Sequence, residues 1–215
     1  MKIHLSLSLF LLVIASNTLF SQNLTIGGAG KTLQQTKNTT YSGTPYFNDN
    51  FSKGLLHTNS GKDLEVPALR YNMSNQQVEY MEKDLVYSVQ DSLKGFNTAD
   101  SSGRAHEFLK IMGPKKADFY EVLVNGKVIL LKYYSAKVQS AEDWYTKKQT
   151  KTMVKEVTYF SSKDGKVEKL GSNSKSLLAV FSDKQDLVKS FIKDKEPDLK
   201  KDEGMIAVFQ YYNSL

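Results

Sequence analysis

Asp118-Phe-Tyr-Glu-Val-Leu-Val-Asn-Gly-Lys-Val-Ile-Leu-Leu-Lys-Tyr-Tyr134 is the most strongly patterned stretch of the chain, and the fold is read outward from it. Two apolar runs meet at Asn125-Gly126, residue types that accept the positive φ of a type I′ turn, whose twist matches that of paired strands. A two-residue loop places Val124 opposite Lys127, Val122 opposite Ile129 and Tyr120 opposite Leu131. These side chains share one almost wholly apolar face, which is expected to be core. The other face sets Glu121 beside Leu130 and diagonal to Lys132, a mixture suited to water or to a thinner second layer.

Further hairpins flank this one. Phe51 to Thr58 and Asp63 to Tyr71 are separated by the turn cluster Asn59-Ser60-Gly61-Lys62, and Pro67, lacking an amide hydrogen, puts the second strand at an edge or at a bulge. Val78 to Glu82 and Leu85 to Val89 pair about Lys83-Asp84, aligning Val78 with Val89 and Tyr80 with Tyr87, although Lys-Asp is not a favoured turn pair. Phe96 and the run His106 to Met112 add one or two strands before Gly113-Pro114 breaks the chain. Downstream, Val154 to Ser161 and Lys166 to Leu170 flank Asp164-Gly165, again a hairpin signal.

After Leu170 the period becomes helical. Leu177, Leu178 and Phe181, then Leu187, Val188, Phe191 and Ile192, recur at that spacing, with Ser174 and Ser182 or Asp183 as N-caps. Pro197 ends the second helix, and Asp202 opens a third whose Ile206, Phe209 and Tyr212 or Asn213 share a face. Strands first and helices afterwards predict an α+β fold: an antiparallel β meander of hairpins followed by three short C-terminal helices. The expected division is a leader over 1–21, a flexible tether over 22–44, a β-rich domain over 45–170, and a helical segment over 171–215 packed on that same domain.

The leader reading rests on a short positive start at Met1-Lys2, an apolar and serine stretch from Leu5 to Ala15 too short to span a bilayer, and Ser21-Gln22 at the cut. Leu19 is larger than the residue usual three places before such a cut. The expectation is a cleavable signal peptide and a periplasmic or secreted protein, with no transmembrane segment in the mature chain. The 215 residues include no cysteine. That excludes a disulfide scaffold and the cysteine-borne lipid anchor of a bacterial lipoprotein. The formal charge is +6. Its lysines are scattered among acids, with Arg70 and Arg104 the only arginines, which reads as a solvated surface and not as a nucleic-acid site.

Candidate chemistry is sparse. Thr25-Ile-Gly-Gly-Ala-Gly-Lys-Thr32 imitates a phosphate-binding loop but has Thr25 where the first glycine belongs and no room for the preceding strand, so it reads as a glycine-rich tether. His57 and His106 lie on separate strands with no second ligand at metal spacing, and each reads as an ordinary sheet or surface residue. Glu196, Asp198, Asp202 and Glu203 do not follow a calcium-loop pattern. Ser172-Asn-Ser-Lys175 and Ser190-Phe-Ile-Lys193 match Ser-x-x-Lys as a chain rich in both residues would by chance. No catalytic, cofactor-binding or metal-binding residue is assigned, and no cofactor is expected. Tyr71, Tyr80, Tyr87, Tyr120, Tyr133, Tyr134, Tyr145, Tyr159 and Trp144 suit sheet packing or, facing outward, carbohydrate or protein contact. Trp144, in the polar stretch Gln139 to Lys155, is the one expected to be exposed or to cap an edge of the core.

The order of Gly43-Thr-Pro-Tyr-Phe47, Val66-Pro-Ala-Leu-Arg-Tyr-Asn72, Phe119-Tyr-Glu-Val-Leu-Val-Asn-Gly126 with Leu130-Leu-Lys-Tyr133, and Tyr211-Tyr-Asn-Ser-Leu215 resembles an uncharacterised family of exported Bacteroidetes proteins. The leader ending Phe20-Ser-Gln22 is similar to leaders of that group. The resemblance implies export and carries structural motifs, with no active-site residues to transfer. The expected function is that of a soluble, non-catalytic envelope protein binding another protein or a surface polysaccharide or other polymer. The alternative is a hydrolase of envelope glycan or peptide.

Overall fold

The computed structural model describes residues 31–32, 41–89, 92–171 and 173–215. The leader expected over 1–21 and most of the glycine-rich stretch lie outside these residues. The described chain forms β1 (Lys31–Thr32), β2 (Ser52–Thr58), β3 (Asp63–Asn72), β4 (Gln77–Glu82), β5 (Leu85–Ser88), β6 (Leu93–Ala99), β7 (Ala105–Met112), β8 (Ala117–Val124), β9 (Val128–Glu142), β10 (Gln149–Lys163), β11 (Lys166–Lys169), α1 (Ser174–Val180), α2 (Gln185–Lys195) and α3 (Asp202–Ser214). All strands join one antiparallel sheet in the order β1-β5-β4-β3-β2-β6-β7-β8-β9-β10-β11. The architecture is the expected α+β one. Its meander grows in two directions from β2, because β6 returns to pair with β2 after β5 has closed the first hairpin series.

Turn chemistry accounts for the short hairpins. Asp164 and Gly165 both take positive φ and set Lys163 opposite Lys166. Lys83 and Asp84 do the same at φ 47° and 64°, and Tyr80 pairs with Tyr87 as expected despite the unfavoured residue types. Pro67 falls at a bulge: Ser52 pairs with Leu69 and Gly54 with Val66, so Pro67 and Ala68 together oppose Lys53. The missing amide is thereby accommodated in an interior strand.

The central hairpin departs from the predicted register. Val122 pairs with Leu131, and the register then shifts so that Val124 pairs with Leu130; Val124 does not face Lys127. Asn213 of α3 explains the difference. Its side chain accepts a hydrogen bond from the Val128 amide (3.0 Å) and donates one to the Val128 carbonyl (2.9 Å), so that α3 and not β8 supplies the partners of the Val128 backbone. The irregularity at Leu123 moves Val124 to the face opposite Val122. Val122 packs near Tyr120, Leu131 and Phe160, whereas Val124 joins Val128, Leu130 and the helices.

The face predicted to meet water or a thin layer is the one that carries the helices. Val128 and Leu130 are fully buried there against Phe181, Val188, Val208 and Phe209. On α3 the buried set is Met205, Val208, Phe209 and Tyr212, with Ile206 half-buried. Farther along the same face a second core gathers Tyr71, Phe96, Phe108 and Phe119 from four strands. It is crossed by a strap of residues 41–51, held where Tyr46 bridges Asn72 and where the Arg70 guanidinium lies 3.5 Å from the Tyr46 ring and 4.2 Å from that of Phe51. Arg70 also pairs with Glu79 at 2.7 Å.

Candidate functional site

Between the two cores runs a row of polar side chains contributed by four neighbouring strands. The register sets Phe108 opposite Glu121, Glu121 opposite Lys132, and Lys132 opposite Tyr159, so the acid, the base and the phenol lie side by side on one face. His106 Nδ1 lies 2.5 Å from Glu121 Oε1, and its Nε2 lies 3.1 Å from Asp100 Oδ2. The Tyr134 hydroxyl donates to the other Glu121 oxygen at 2.5 Å. At the far end Asp202, the first residue of α3, accepts from Lys132 Nζ at 2.7 Å and from the Tyr159 hydroxyl at 2.5 Å.

Burial sets the electrostatics of this row. Burial first, and then hydrogen bonding to Glu121, push the Tyr134 phenol far above its ordinary value. Burial and the bond to Asp202 likewise raise Tyr159. Burial alone would raise Asp202, but the bonds from Lys132 and Tyr159 outweigh it and hold the carboxyl below its usual range. Lys132 and Asp202 pair with each other, and Glu121 accepts from Tyr134 and lies against His106, so each buried carboxylate in the row has a hydrogen-bond partner, as low-dielectric surroundings require.

The row is closed to solutes at its histidine end. His106 is 4% exposed, and the Phe47 ring of the strap stands edge-on to it with centroids 4.9 Å apart. Phe47 makes the same kind of contact with Tyr134 and Phe108. A general base must reach its substrate's proton. The His106–Glu121 pair is sealed from any.

The second notable region is the outer part of the β9–β10 hairpin. Pairing continues without a break from Val128 opposite Lys163 to Glu142 opposite Gln149. Neither β8 nor β11 accompanies it to the end, since β8 begins at Ala117 and β11 pairs only with Phe160 to Lys163. Residues 137–152 are exposed throughout. This two-stranded arm ends in a turn built on Asp143, whose Oδ1 accepts from the amides of Tyr145 (3.0 Å) and Thr146 (2.6 Å). Those bonds hold the Asp143 carboxyl below its ordinary value. They also fix the backbone that carries Trp144 and Tyr145, which are 82% and 79% exposed with ring centroids 5.7 Å apart.

The residues weighed from sequence are dispersed. His57 bonds Asp63 at 2.8 Å and also Asn97; burial lowers its pKa, but these bonds outweigh it and leave it raised. His106 lies in β7, a sheet residue as read, and the fold gives it two carboxylate partners that sequence spacing did not reveal, Glu121 from a neighbouring strand and Asp100 from a turn. Ser190 and Lys193 lie exposed on α2, and Ser172 is outside the described residues. Of the acids, Asp198 lies 3.7 Å from Lys201, Glu196 closes α2 at φ 46°, and Glu203 is exposed. Only Asp202 joins the row. Among the described residues no three His, Asp or Glu side chains are placed to hold a metal, and no helix is long and apolar enough to cross a membrane. The chain matches no family model, no curated protein and no solved structure.

Proposed function

We propose that this chain is an exported, non-catalytic binding protein of a cell envelope that grips a partner protein or surface polymer with the tip of its β9–β10 arm. The observation that carries the reading is the exposure of Trp144 and Tyr145 on a turn whose backbone is already fixed. Large aromatic rings left in water contribute nothing to a core, and preordered rings bind with little further loss of freedom. Trp and Tyr are also the side chains that most often dominate binding energy. The apolar leader stretch Leu5 to Ala15 and the resemblance to exported Bacteroidetes proteins support the location. The hydrolase alternative is disfavoured by the closure of His106 and Glu121 beneath Phe47.

The test is affinity capture from native envelope with the wild-type protein and a Trp144→Ala/Tyr145→Ala variant side by side. The wild type should retain a defined protein or polysaccharide, and the variant should retain at least tenfold less. Equal retention by both would remove the arm from the function.

A further inference from the structure

We propose a second binding site, distinct from the arm, for a small free amphiphile that carries one anionic group. Beside the polar row a cleft of about 920 Å³ opens between β10, the start of α1 and the loop joining α2 to α3. It exists because β11 is short. The last rung on that edge is the bond from the Leu170 amide to the Tyr159 carbonyl at 2.9 Å, after which the chain turns away into α1 and leaves Val157 uncovered. Val157 remains 47% exposed, and Leu199 is half-buried. Together with Leu170, Leu177 and Met205 they give the cleft an apolar lining. Its volume falls within the range of roughly 300–1,000 Å³ typical of small-molecule sites.

Charge selects the class of ligand. Lys169 and Lys200 both line the cleft, and among the described residues neither ammonium has a carboxylate at ion-pair distance. Of the acids nearby, Asp198 lies 3.7 Å from Lys201, Asp202 is held by Lys132 and Tyr159, and Glu203 is exposed at the start of α3 and does not line the cleft. The lining therefore offers apolar surface and two lysines against one carboxylate, Asp198, a net positive charge. An alkyl or aromatic body with one carboxylate or phosphate satisfies both, whereas a cationic amphiphile of equal apolar size meets repulsion.

The experiment is calorimetric titration of the full chain with monomeric sodium dodecanoate and, separately, with dodecyltrimethylammonium. Dodecanoate should bind one site at least tenfold more tightly than the cation. Val157→Trp, a change at an exposed position, should weaken dodecanoate binding at least tenfold by laying an indole across the apolar wall. Lys169→Glu/Lys200→Glu should reverse the preference, with circular dichroism unchanged in both variants. Trp144→Ala should leave the titration unaltered, which separates this site from the arm. Equal affinity for the two head groups, dodecanoate binding unweakened by Val157→Trp, or binding to anionic vesicles but not to monomeric dodecanoate would overturn the proposal.

Discussion

The two halves of the β9–β10 hairpin are made by the same pair of strands and behave in opposite ways. In the inner half Val128, Leu130 and Leu131 are fully buried, and even the polar residues are tied into the row of Glu121, Lys132, Tyr159 and Asp202. In the outer half the backbone ladder is equally regular, yet nothing is buried and the largest side chains stand in water. Backbone pairing alone therefore does not decide where the stability lies. It decides only where the side chains are presented. Stability follows burial, and the outer half is free to serve recognition.

The largest expected effect is in the inner half. Glu121→Ala removes the partner of both His106 and Tyr134 while leaving them buried. Leaving the two buried groups without that acceptor costs about 1–3 kcal/mol each, and urea unfolding should show a loss of that order. A loss below about 1 kcal/mol would mean that the row is hydrated and contributes little. Next comes Asn213→Ala, which leaves the Val128 amide and carbonyl without their partners and should cost about 1–3 kcal/mol. Gly126→Val should be destabilising for a related reason, since a side chain there would run into the Asn213 amide. If Asn213→Ala relieved the cost of Gly126→Val, the helix and not the turn would be confirmed as the element that sets the register.

A smaller effect is expected from acid. Asp202 is held below its ordinary carboxyl value in the fold. Its contribution is therefore fully present above an unfolded pKa of about 3.9. It is lost as pH falls through the lower folded value, as the proton breaks the pairing with Lys132. Asp202→Asn should flatten the acid limb of the stability profile below about pH 4. An unchanged acid limb would show that the Lys132 contact is not electrostatic in origin. At the small end of the scale, Trp144→Ala should alter unfolding stability by no more than about 0.5 kcal/mol, as expected for an exposed side chain.

Much of this architecture was legible in the residues because its signals are local. Asp164-Gly165 specifies its own turn, Pro67 announces a bulge, and the change to helical spacing after Leu170 marks where the sheet ends. The features that escaped are those set by distant partners. Nothing near Asn125-Gly126 reveals that Asn213 will claim the Val128 backbone, and so the tight-turn register was the natural but incorrect expectation. The row of His106, Glu121, Lys132, Tyr159 and Asp202 is assembled from four strands and a helix, and no spacing along the chain encodes it. The outer arm was missed for a different reason. Its strands are solvated on both faces, so Gln139 to Thr152 shows none of the apolar alternation by which half-buried strands are recognised. Trp144 within it was the one visible clue.

Trp144 is the single tryptophan of the chain, so fluorescence excited at the red edge of the indole band, where tyrosine does not absorb, reports on the arm tip alone. The most direct measurement is iodide or acrylamide quenching of that emission, first in the isolated protein and then with the envelope fraction retained in affinity capture. Quenching in the isolated protein should be close to that of free indole, with protection and a blue shift when the captured partner is added. Emission already shielded in the isolated protein, or unaltered by the partner, would contradict the proposed role of the arm.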